Sequence, residues 1–204
     1  MSAVGITGGI ATGKSTVAAA LHKSLLVHLP VEWFSADFEA RRLTDSDLHV
    51  QEEIELVFGA QLFDGNRRLR RERLRELVFQ DPSARKILES ILHPRIRSAW
   101  LKRINTGALL LAEIPLLFET KAEKHLDLVI VTACSRSAQL NRLIEVRRLA
   151  PDLAESMIAA QMPLDEKIKR GDRLIWTDCP PKITTAQIDH LSTELLERYG
   201  ESTR

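Results

Sequence analysis

Apolar positions come in short blocks separated by longer amphipathic stretches. Ala3–Thr7 is a mostly apolar run that ends in glycines, which predicts a buried strand. Ser15–Leu26 spaces its apolar and small residues as a helix does. Val31–Ser35 predicts a second strand, followed at once by Ala36 and Asp37. A long polar stretch then repeats apolar residues at helical intervals, with Ile54, Val57 and Phe58 first. Asp81-Pro82 reads as an N-cap with proline at the first helical position. The helix it opens puts Ile87, Leu88, Ile91 and Leu92 on one face, and Pro94 is expected to end or bend it. Leu109–Ile114 and Leu128–Thr132 are apolar runs suited to interior strands of a parallel sheet. Leu140, Leu143 and Ile144 mark a helix, and Met157–Gln161 closes another before Pro163. Arg173–Trp176 predicts a last strand. A final helix carries Ile188, Leu191, Leu195 and Tyr199 along one stripe.

Strands alternating with helices define an α/β chain built on a parallel sheet. Two helical regions interrupt the alternation, at about 38–105 and about 137–170. The expectation is one domain over 1–204, with the first region holding an acceptor and the second acting as a mobile lid.

The 204 residues suffice for one substantial core. A formal charge of +1 gives no global field for nucleic acid or an anionic membrane. No apolar run reaches the roughly 18 residues that span a bilayer. The segment MSAVGITGG does not read as a secretory signal. Cys134 and Cys179 lack metal-ligand spacing, so a reducing, cytoplasmic setting is expected, with no membrane or nucleic-acid partner. A monomer or small homo-oligomer is equally compatible with this composition.

The glycines after the first strand carry the chemistry. Gly8-Gly9-Ile10-Ala11-Thr12-Gly13-Lys14-Ser15 matches G-x-x-x-x-G-K-[ST] in full, between a predicted strand and a predicted helix. Such a loop wraps a phosphate with backbone N–H groups, and the helix N-terminus adds positive potential. Lys14 is the cation for the β- and γ-phosphates, Ser15 the hydroxyl for Mg²⁺, and Thr16 a further phosphate contact. Gly9, Ala11, Thr12 and Gly13 complete the nucleotide cradle.

That loop alone does not choose between kinase, GTPase and motor ATPase. No guanine-reading NKxD segment is present. A small kinase also needs a carboxylate for the acceptor hydroxyl and cations for the transferring group. Asp37, just beyond the second strand, is the candidate base. Arg142, Arg147 and Arg148 are the candidate cations. For Asp37 a helix-capping role is the competing assignment, and for each arginine a solvated helix face.

Further segments resemble one family. The stretch 73–97, RLRELVFQDPSARKILESILHPRIR, is similar to the helical substrate region of the dephospho-CoA kinases, including its His-Pro. EIPLLFE, QLNRL and IAAQMPLDEK resemble that family's third-strand, lid and post-lid segments, in the same order. The resemblance implies a P-loop fold like that of nucleoside-monophosphate kinases. It also implies ATP-dependent phosphorylation of the ribose 3′-hydroxyl of dephospho-CoA, with Mg²⁺. Asp37 then matches the catalytic aspartate, and Arg142 a lid arginine near the ATP phosphates. His93, Pro94, Leu116 and Phe118 fall in segments that shape the acceptor site.

Four positions depart from the family pattern. Ala11 replaces a common glycine, which requires a negative φ there. Ser35 replaces the first carboxylate of Asp-Ala-Asp. Val146 stands where a second lid arginine is usual, with Arg147 and Arg148 as alternatives. Thr177 stands where asparagine is frequent. The competing functions are a similar kinase with another acceptor and a nucleotide-binding regulator of weakened activity. Arg67, Arg68, Arg70, Arg71, Arg73 and Arg75 form a basic cluster, read as a solvated face. Of the three tryptophans, Trp176 lies nearest the expected adenine loop.

Overall fold

A computed structural model describes residues 2–104 and 106–200 of the chain. Asn105, the first residue and the last four lie outside the described residues. The chain divides into two compact units, one of residues 1–35 and 103–204 and one of residues 36–102.

The first unit is a five-stranded, all-parallel sheet in the order β2-β3-β1-β4-β5. Its strands are β1 (Ala3–Gly8), β2 (Val31–Ser35), β3 (Leu109–Glu113), β4 (Leu128–Ala133) and β5 (Arg173–Trp176). β1, β3 and β4 are buried along their whole length, as their continuous apolar runs predict. α1 (Lys14–Leu25) and α9 (Pro181–Tyr199) pack together over the sheet. Val17, Leu21 and Leu25 of α1 meet Val4, Ile6, Leu111 and Ile130 of the sheet and Ile188, Leu191 and Leu195 of α9. At Gly5 a methyl group would sit 2.6 Å from the terminal methyls of both Leu117 and Leu126, so any larger residue would force those side chains to shift from their seat on the sheet.

The region between β4 and β5 begins with α6 (Arg136–Asn141), capped by the Ser135 hydroxyl on the Ala138 N–H. A π-turn follows over Arg142–Val146, then α7 (Pro151–Ala159) and α8 (Leu164–Arg170). α8 packs on β1 and β4.

The second unit contains α2 (Ala36–Ser46), α3 (Leu48–Phe58), α4 (Arg71–Gln80) and α5 (Pro82–Leu101). Leu43, Val50, Ile54, Leu74, Ile91 and Leu92 form its core. Asp47 caps α3 and Asp81 caps α5 through their carboxylates. The expectation that Pro94 ends or bends α5 is settled in one respect. The helix continues through Pro94 to Leu101, because the packing of α5 on α2, α3 and α4 outweighs one missing N–H. In the basic cluster, Arg71 pairs with Asp45 at 2.7 Å and Arg67 with Glu55 at 3.0 Å. Among the tryptophans, Trp100 is buried, while Trp33 and Trp176 are each about one-third exposed.

Candidate active site

The glycine-rich loop follows β1 and turns into α1. Gly8 has φ +150°, and a methyl group there would lie 2.2 Å from the Thr132 carbonyl. Gly13, with φ 85°, precedes α1, and among the described residues no side chain caps that helix. A helix N-terminus of this kind presents backbone N–H groups and positive potential to an anion. Lys14 is nine-tenths buried and donates to the carbonyls of Gly9 at 2.7 Å and Gly8 at 3.4 Å. Thr12 is fully buried and holds the loop to β4 through a 2.8 Å bond between the Thr12 and Thr132 hydroxyls. Ser15 and Thr16 are exposed in the first turn of α1.

Ala11 contradicts the expectation of a negative φ. Its φ is 59°, in the small left-handed region that L-residues enter at a cost of about 1 kcal/mol or more. The small methyl group is buried with Leu143 and Ala154, among Ile10, Leu140, Ile144 and Ile158. Tertiary contacts thus hold a conformation that the residue type disfavours.

Glu113, absent from the sequence-based list of site residues, ends β3 beside the loop. It pairs with Ile6 of β1 on one side and Ser35 of β2 on the other. Its Oε1 accepts a 2.5 Å bond from the Ser15 hydroxyl. Its Oε2 is buried and has no hydrogen-bond partner among the described residues. The visible signal was a lone carboxylate closing an otherwise apolar run, LLLAE, which burial without a function would disfavour.

Arg142 binds the loop rather than solvent. Its guanidinium donates to the Ala11 carbonyl at 2.9 Å, the Thr177 hydroxyl at 3.0 Å and the Thr177 carbonyl at 2.7 Å. Thr177 in turn donates to the Thr12 carbonyl at 2.9 Å. In the π-turn, the Arg147 N–H reaches the Arg142 carbonyl at 3.2 Å, five residues back. This extra residue alters the α-helical register by which position 146 would lie one turn above Arg142. Ala11, Gly13, Thr16, Arg142, Arg147 and Thr177 line one cavity of about 600 Å³. Arg148 is absent from its lining and forms a 3.8 Å pair with Glu145. Trp176 lines a different cavity, of about 420 Å³, with Gly9, Gln139 and Gln161.

Of the expected acceptor residues, Asp37 is the exposed second residue of α2, directly after β2. His93 is half-buried and Pro94 exposed, both within α5. Leu116 and Phe118 follow β3. Phe118 is buried, with the Arg170 guanidinium 4.5 Å above its ring. The same segment is fixed by Lys167, which is fully buried and was not anticipated as a site residue. Its ammonium donates to the Pro115 carbonyl at 2.7 Å and pairs with Glu119 at 2.9 Å. Burial pulls the Lys167 ammonium below the ordinary lysine range, and Glu119 opposes that shift.

A parallel sheet in this strand order, with a lysine- and serine-bearing phosphate loop between its central strand and a helix, defines a P-loop kinase fold. Similarity to known proteins narrows the class. The dephospho-CoA kinase family model (CoaE) matches residues 2–180. A dephospho-CoA kinase of Fusobacterium nucleatum is 34% identical over 174 residues, 84% of this chain and 87% of the relative. Among solved structures, protein TT1252 of Thermus thermophilus superposes with a TM-score of 0.75 at 31% identity, covering 96% of each chain. A dephospho-CoA kinase of Campylobacter jejuni gives a TM-score of 0.69 at 27% identity, covering 97% of this chain and 98% of that one. The chain belongs to the dephospho-CoA kinase family.

Proposed function

We propose that this protein transfers the γ-phosphoryl group of ATP to the ribose 3′-hydroxyl of dephospho-CoA. The supporting observation is the extent of the family match. It runs from β1 to residue 180 and so includes the phosphate loop, the helical unit, the π-turn and Thr177. The region of about 38–105 would hold the acceptor, and that of about 137–170 would close over the nucleotide.

The loop and the first turn of α1 bind and orient the triphosphate. Lys14 leaves the Gly9 carbonyl for the β- and γ-phosphates, where its charge offsets that developing on transfer. Arg147 supplies a second cation from the cavity wall. Arg142 keeps the loop and the Thr177 segment together, within reach of the phosphates. Asp37 orients the acceptor hydroxyl and takes its proton late. His93, Pro94, Leu116 and Phe118 shape the acceptor's seat.

The residues beside the loop fit a magnesium ion. The cation takes hard oxygen ligands, keeps several waters and needs only one or two from the protein. The Ser15 hydroxyl and the unpartnered Glu113 Oε2 meet that need. Among the described residues no cluster of three His, Cys, Asp or Glu offers another metal site. When bound, Mg²⁺ neutralises charge between the β- and γ-phosphates. Glu113→Gln should raise the Mg²⁺ concentration needed for half-maximal rate by about 10-fold or more, which a Mg²⁺ titration at fixed ATP measures. An unchanged requirement would leave Glu113 a purely structural partner of Ser15.

The acceptor is tested directly. The full chain with Mg²⁺-ATP and dephospho-CoA should yield CoA, identified by mass, together with ADP. ADP formed only with another acceptor would overturn the assignment.

A further inference from the structure

Ala11 sits at φ 59°, where a released loop with alanine would fall back to negative φ. Three side chains hold the backbone at and before this residue. Gln161 Oε1 accepts from the Ile10 N–H at 2.7 Å. Gln139 Nε2 donates to the Ile10 carbonyl at 2.8 Å. Arg142 donates to the next carbonyl, that of Ala11, at 2.9 Å. Both backbone polar groups of Ile10 are therefore taken by glutamines, one from α6 and one from the link between α7 and α8.

The glutamines are themselves held. Gln139 is 3% exposed, and its backbone N–H bonds the carbonyl of Ser135, the cap of α6. Its amide also fills the space beside Gly9, where a methyl group would come within 2.6 Å of Nε2. Gln161 is followed by Met162, whose N–H bonds Glu119 at 3.0 Å, the carboxylate that also pairs with Lys167. A chain of contacts thus runs from the buried lysine of α8 to the tip of the phosphate loop. None of the nucleotide roles assigned above uses either glutamine.

We propose that Gln139 and Gln161 are positioning residues that latch the strained phosphate loop in its nucleotide-receiving shape. The proposal rests on the reading of this loop as the ATP cradle. Neither amide needs to touch ATP. Each removes an alternative for the Ile10 peptide, so the left-handed turn at Ala11 exists before the ligand arrives. Without the latch, ATP binding must itself drive Ala11 into that turn, and affinity falls by the population of the competent loop. Both glutamines ride on the segment that also carries Arg142 and Arg147. A shift of that segment would therefore loosen the loop and withdraw the cations together.

The test is a direct ATP titration of the full chain, with Mg²⁺ present and acceptor absent. Gln139→Met and Gln161→Met keep side-chain length and remove the hydrogen bonds. Each should weaken ATP binding by about 10-fold. In the Ala11→Gly background the left-handed turn carries little strain, and the same substitutions should cost about threefold or less. Unchanged affinity in both glutamine variants would overturn the latch. So would an equal loss in both backgrounds, which would show general packing damage. Thermal unfolding checks that each variant folds, and the partly exposed Gln161 carries the test alone if the buried Gln139→Met does not. Because no acceptor is present, failure of the dephospho-CoA assignment leaves this measurement intact. Wild-type protein that binds no ATP would instead sink the nucleotide reading.

Discussion

Lys14→Ala should lower kcat by about 10²–10³-fold and weaken ATP binding as well. The side chain is nine-tenths buried, so its charge acts in a site where water screens it little. The Lys14 ammonium donates to the carbonyls of Gly8 and Gly9. A triphosphate carries negative charge and is a far stronger partner for it than a neutral carbonyl. The interaction strengthens as charge develops on the transferring group, so the loss appears in kcat as well as in KM. Lys14→Arg separates charge from shape. Guanidinium keeps the charge but is broader than the ammonium and cannot occupy the same buried niche between two carbonyls. It should recover little of the rate. A steady-state comparison of the three proteins at saturating Mg²⁺-ATP checks this, with thermal unfolding as the control for folding. If Lys14→Ala retained wild-type kcat, the phosphate loop would not be serving phosphoryl transfer.

The sequence made this lysine legible because its motif is local. Eight consecutive residues between a strand and a helix fix the loop, and the observed β1 and α1 flank it as expected. The strands were legible for a related reason. Interior parallel strands are apolar on both faces, which marks β1, β3 and β4. The edge strands Val31–Ser35 and Arg173–Trp176 are only partly buried, yet they too have the expected bounds. What stayed hidden depends on contacts between distant segments. Ala11 adopts a positive φ because Gln139, Gln161 and Arg142, more than a hundred positions away, bind the peptides around it. A local steric rule cannot contain that information. Glu113 gained its meaning only when β3 paired with β1 and β2, which set its carboxylate at Ser15 and its backbone beside Ser35. The carboxylate missing at position 35 therefore has an acidic neighbour on the next strand. Position 147 is ambiguous in the sequence because α-helical spacing does not hold there: the chain makes a π-turn over Arg142–Val146.

Asp37→Asn should lower kcat by about 10²–10⁴-fold while ATP affinity stays near that of the wild type. Asparagine keeps the size and one oxygen of the side chain but has no basic carboxylate. Asp37 is exposed in the first turn of α2, a position where an aspartate can also serve the helix through its favourable interaction with the helix dipole. The two roles predict different outcomes. A helix-end role alone would cost about 1 kcal/mol of stability at most and leave turnover unchanged. A role at the acceptor hydroxyl would cut turnover and spare nucleotide binding, because the loop, Lys14, Arg142 and Thr177 form their contacts without Asp37. The magnitude also bears on mechanism. Phosphoryl transfer proceeds through a loose transition state in which the acceptor proton leaves late, so orientation is a large part of what the carboxylate supplies. Asparagine can still accept a hydrogen bond and orient the hydroxyl, whereas Asp37→Ala can do neither. A larger loss in the alanine variant than in the asparagine variant would assign the difference to orientation and the remainder to proton removal. Equal losses would make proton removal the whole role, and unchanged kcat in Asp37→Asn would take Asp37 out of proton transfer.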